Sequence, residues 1–137
     1  MKEKKPMVEN ETDPGVSKGA LWGGRIISIL PCLLMLMSAS MKFIKPAGFD
    51  EGLAHLGWTA EKTAYIGIVE IACVLVYLIP RTAVVGAILI TGYMGGAIAT
   101  HVRVGDPFWV PIIIGIVVWG GLWLRDPRVK QLIPITK

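Results

Sequence analysis

Residues 63–80 read TAYIGIVEIACVLVYLIP, an apolar run near the length of a membrane helix with one carboxylate, Glu70, well inside it. A hydrocarbon core of about 30 Å takes roughly 17–25 mostly apolar helical residues. Three further runs, at about 24–44, 82–100 and 107–124, approach that length. They account for most of a chain of 137 residues that is 53% hydrophobic, with a mean hydropathy of +0.60. No room is left for a separate soluble domain. The expected fold is all-α, an integral membrane four-helix bundle over 21–125, between a disordered tail at 1–20 and a short tail at 126–137.

The charges orient it. Of the fourteen Lys and Arg, ten fall at one end of the four runs and four (Lys42, Lys45, Lys62 and Arg103) at the other. The positive-inside rule then places both termini and the Arg81 turn in the cytoplasm, in a multi-pass protein of a bacterial inner membrane. A net charge of +4 would suit nucleic acid, but these cations form no stripe with interleaved aromatics, which argues against it as a partner. A signal peptide cleaved after "SAS" at 38–40 fits poorly, because the preceding region is long and of mixed charge and the apolar run continues through Ile44.

Between the first two runs, "KPAGFDEGLAHLGWTAEK" reads as an interfacial loop with a short amphipathic helix at Phe49–Leu56. Sixteen glycines offer close helix crossings: Gly92 and Gly96 as a Gly-x-x-x-Gly pair, then Gly67, Gly86, Gly95, Gly115, Gly120 and Gly121. Packing within one bundle accounts for them, and they argue only weakly for a homo-oligomer. Cys32 and Cys73 lie at similar depth and fit as packing residues better than as a redox pair. No metal spacing is present.

Glu70 lies about 10 Å below the outer end of its helix. A charged group at mid-helix costs about 2.5–3.5 kcal/mol on insertion scales, so it should face the bundle and find a partner. Thr63, Gly67, Glu70, Cys73 or Val74, and Tyr77 recur at helical spacing as one small or polar stripe. On the first run Lys42 aligns with Ser38 or Ala39, Met35 and Cys32. His101 and Arg103 end the third run at the same outer level, with Ala97 and then Tyr93 or Met94 below His101. Lys42, Glu70, His101 and Arg103 thus gather in the outer half, with Ser38 and Tyr93 beside them.

Plainer readings stand next to this one. Lys42 and Arg103 would snorkel to headgroups, His101 would be a solvated cap, and Glu70 would pair with Lys42 or His101 or bond, protonated, to a neighbour such as Ser40. Functionally, a buried acid beside a cation relays a proton to a quinone or other lipophile, acts as an acid or base, or binds a cationic headgroup.

"SASMKF" at 38–43, "GIVEIACVLVYLIP" at 67–80, "GAILITGYMGGAIATHVRVGDP" at 86–107 and a closing "WLRDP" at 123–127 resemble the DoxX-like family of small four-helix membrane proteins. The resemblance covers about 22–127 and picks out Lys42, Glu70 and His101. It implies a quinone- or redox-linked membrane subunit, since the family's namesake resembles a subunit of thiosulfate:quinone oxidoreductase. In that role Glu70 and His101 are the catalytic candidates, handling protons, while Lys42, Arg103, Tyr93 and Ser38 bind the ligand. The chain has no haem or flavin motif, so a partner redox subunit would supply electrons. The alternatives are a binding or transport module for a small lipophile, and a structural assembly subunit.

Overall fold

The computed structural model describes residues 15–133, and every regular element in them is helical. The order is α1 Lys18–Ile44, α2 Phe49–His55, α3 Ala60–Leu78, α4 Ala83–Val104, α5 Trp109–Arg125 and α6 Pro127–Leu132. The four long helices pack around a common core, α1 and α4 each touching both α3 and α5. The expected tail and the first helix meet earlier than the hydropathy suggests. Helix α1 begins at Lys18 because the Ser17 hydroxyl caps it, accepting from the Ala20 amide at 3.2 Å. Residues 1–14 and 134–137 lie outside the described residues; the short tail after α5 begins with α6, where Asp126 caps Arg128 and Pro127 opens the turn.

Chain breaks follow local chemistry. Helix α1 ends with Lys45 in the left-handed region at φ 49°, and Pro46 prevents further winding. Gly105, at φ 78°, closes α4, and the Asp106 amide donates back to the His101 carbonyl at 3.0 Å. The turn after α3 is held by the Thr82 hydroxyl, which donates to the Val76 carbonyl at 2.8 Å.

Apolar side chains cover the outside of the helices as well as filling the core. Large side chains such as Ile26, Leu33, Ile68, Val85, Ile113 and Ile116 lie exposed, whereas the buried set includes Ser28, Cys32, Ala39, Thr63, Gly67, Glu70 and Cys73. Apolar surface of that extent is stable only against other apolar material. Helices α1 and α4, with 27 and 22 residues, are long and apolar enough to cross a bilayer. The other two depart from the expected spans for separate reasons. Helix α3 has three charges, Glu61, Lys62 and Glu70, in its 19 residues, and α5 has only 17.

At the end away from α2, the core is built on one tyrosine. Tyr77, fully buried, donates to the Val118 carbonyl at 2.8 Å and lies 2.9 Å from the Ser28 hydroxyl, so α1, α3 and α5 share one polar knot. Around it the glycines make the approaches that matter. A Cβ on Gly86 would collide with the Tyr77 backbone, and one on Gly24 would fall 2.8 Å from the Gly121 carbonyl oxygen. Gly92, Gly95, Gly96, Gly115 and Gly120, expected at crossings, face open space instead. Cys32 and Cys73 are unpaired thiols in the same buried cluster.

Candidate functional site

Glu70 is placed by the small stripe of α3, which turns its one mid-helix charged side chain inward at 2% exposure. Helix α1 brings Lys42 against it, Nζ to Oε2 at 2.8 Å. The same ammonium donates to the Ser38 hydroxyl at 2.8 Å and the Ser38 carbonyl at 3.3 Å, one helical turn back. All three ammonium donors are therefore used. Gly67 lets α1 and α3 approach here, because a Cβ there would fall 2.9 Å from the Phe43 ring. Of the partners open to Glu70, Lys42 is the one observed; Ser40 instead donates to the Met37 carbonyl at 2.7 Å on the exposed face.

Beside this pair lies a cavity of about 810 Å³ at the end of the molecule that carries α2. Its walls are mostly apolar: Leu34, Met35 and Met37 from α1, Ile66 and Val69 from α3, Val110, Pro111 and Ile114 from α5. Lys42, Glu70 and His101 are its charged or readily ionisable lining residues. Tyr93 from α4 and Ser38 from α1 also line it. The Nδ1 atom of His101 is buried without a hydrogen-bond partner among the described residues. A buried polar atom in that state is uncommon in a finished structure and fits a site that receives a polar group from elsewhere. Gly92 and Gly96 form part of the wall, and their missing side chains leave the space open.

Arg103 does not line the cavity. Its guanidinium donates to the carbonyl of Leu56, the residue that follows α2, at 2.6 Å. Gly57, at φ 80°, gives it room there. Arg103 stands level with His101 along α4, but its long side chain leaves that level for the loop. Next to it His55 Nε2 lies 3.1 Å from Asp106 Oδ2. These two contacts fasten the short helix α2 and the residues after it over the cavity, where Phe49, Leu53, Leu56 and Trp58 form its roof. The expected interfacial helix is thus also the cover of the site, a role its amphipathic spacing does not reveal.

Three of the charged or ionisable candidates, Lys42, Glu70 and His101, meet at one cavity with Ser38 and Tyr93, and the fourth holds its roof. No group of three or more His, Cys, Asp or Glu side chains suited to a metal occurs among the described residues. No curated protein and no solved structure matches the chain. The sequence pattern of the DoxX-like family matches residues 26–121, a stretch that contains Lys42, Glu70, Tyr93 and His101, and the chain belongs to that family of membrane proteins.

Proposed function

We propose that this chain is a multi-pass inner-membrane protein in which α1, α3, α4 and α5 all span the bilayer, with both termini in the cytoplasm, and that it binds a small lipophile in the Glu70 cavity. Helices α3 and α5 rise about 29 and 26 Å at 1.5 Å per residue, close to the hydrocarbon thickness. Their exposed Ile68, Val69, Leu75, Ile113 and Ile116 suit acyl chains. One observation carries the ligand reading: the Lys42–Glu70 pair, at 2.8 Å, borders a large apolar cavity that is also lined by His101, whose Nδ1 is buried without a partner among the described residues. Such a space suits a mostly apolar molecule with a polar end. Met37, Tyr65, Val69 and Val110 line the cavity while being more than half exposed, so its wall is continuous with the lipid-facing surface and a ligand can enter sideways.

A quinone is a second reading. It is favoured by two proton-exchanging side chains, Glu70 and His101, facing one space. In that case a partner subunit provides the electrons, and this chain holds the quinone and moves protons. Thermal unfolding of the purified full chain, with a short-chain quinone analogue or a redox-inert lipophile of similar length, tests both. Stabilisation of the wild type, absent in Gly96→Leu, is the expected result; the inert compound acting equally well favours binding alone. If neither compound stabilises the wild type, the reading fails.

A further inference from the structure

We propose a second site at the opposite end of the molecule, a phosphate-binding pocket made by arginines of α1, α5 and α6. A separate cavity of about 320 Å³ is lined there by Arg25, Arg125 and Arg128, with Leu21, Ala83 and Leu122 among its apolar walls. Its one acidic residue, Asp126, is already engaged. The Asp126 carboxylate accepts from Arg128 Nε at 3.0 Å, Nη2 at 2.8 Å and the backbone amide at 3.0 Å. These bonds, the side-chain ones foremost, hold the Asp126 carboxyl below the usual range, so it stays ionised and neutralises Arg128.

Arg25 and Arg125 have no carboxylate partner among the described residues. Arg25 lies over the Trp22 ring at 5.4 Å, and Arg125 over the Tyr77 ring at 4.9 Å. The contact of Arg125 with the Tyr77 carbonyl is long, at 3.4 Å, and its Nε is buried with no hydrogen-bond partner. Two arginines without a carboxylate partner among the described residues line one concavity, a setting that suits an oxyanion taking several N–H donors at once. Phosphate oxygens do this in the fork geometry of arginine. Leu21 and Leu122 at the same cavity suit the apolar body behind a lipid headgroup, and free phosphate offers the same oxygens.

The test is native mass spectrometry of the full chain in mild detergent with phosphatidylglycerol, with diacylglycerol as a phosphate-free control, and with inorganic phosphate as competitor. Selective retention of phosphatidylglycerol is expected, weakened about tenfold in Arg25→Gln, as for loss of one charge-assisted hydrogen bond. Arg25 is exposed and Arg25→Gln leaves the core intact, whereas Arg125→Lys keeps the charge and removes the fork, and should weaken retention as well. If inorganic phosphate displaces the lipid and itself stabilises the wild type, the site holds and free phosphate is its source. If the two lipids are retained equally, or Arg25→Gln matches the wild type, the proposal is overturned.

Discussion

A lysine and a carboxylate 2.8 Å apart in an apolar wall depend on each other, because little water is there to take the place of either. Removing one partner of a buried pair leaves the other uncompensated and costs about 3–5 kcal/mol, while replacing both is far cheaper. Lys42→Met should therefore lower the unfolding free energy by about 3 kcal/mol, and Lys42→Met with Glu70→Gln should recover most of it. Denaturation of the four proteins of that cycle checks this, and simple additivity would show that the pair is not coupled. Glu70 is legible in the sequence because one acid in an apolar run must turn inward, and Lys42 because it stands one turn from Ser38. Arg103 is misjudged by the same reasoning: spacing locates a Cα, but its side chain spans the distance to the Leu56 carbonyl. The Tyr77–Ser28 bond escapes it altogether, since neither residue is charged and the link joins positions 49 apart.

Among the elements, hydropathy finds the four long helices, and their ends are decided by caps. Ser17 starts α1 and Gly105 stops α4 through hydrogen bonds that apolar content does not encode. The glycines divide more sharply. Composition marks Gly92 and Gly96 as a contact motif, but the rotation of α4 about its axis points them into the cavity and sends Gly86 against Tyr77. That rotation is set by the whole core. Gly86→Ala should destabilise by about 1–3 kcal/mol through overpacking, whereas Gly92→Ala should be neutral or stabilise by up to about 1 kcal/mol as helix propensity improves. Thermal unfolding of both in one detergent compares them, and equal losses would mean that α4 packs by the Gly92 face after all.

At the scale of the molecule, the two ends differ in kind. One holds an apolar cavity roofed by α2, the other a cluster of arginines, and the core between them is knotted at Tyr77. With four spans both termini lie on one side. Reporter fusions at each end should agree, and a cysteine placed at Lys45 should react with an impermeant reagent from the other side; termini on opposite sides would require an odd number of crossings. We take the space beside Glu70 to be a ligand site rather than a packing gap. Native mass spectrometry of the protein purified from its membrane, as wild type, Glu70→Gln and Gly96→Leu, tests it most directly. A small lipophile retained by the wild type, reduced in Glu70→Gln and absent in Gly96→Leu, is the predicted result. An empty wild type, or equal retention by all three, would contradict it.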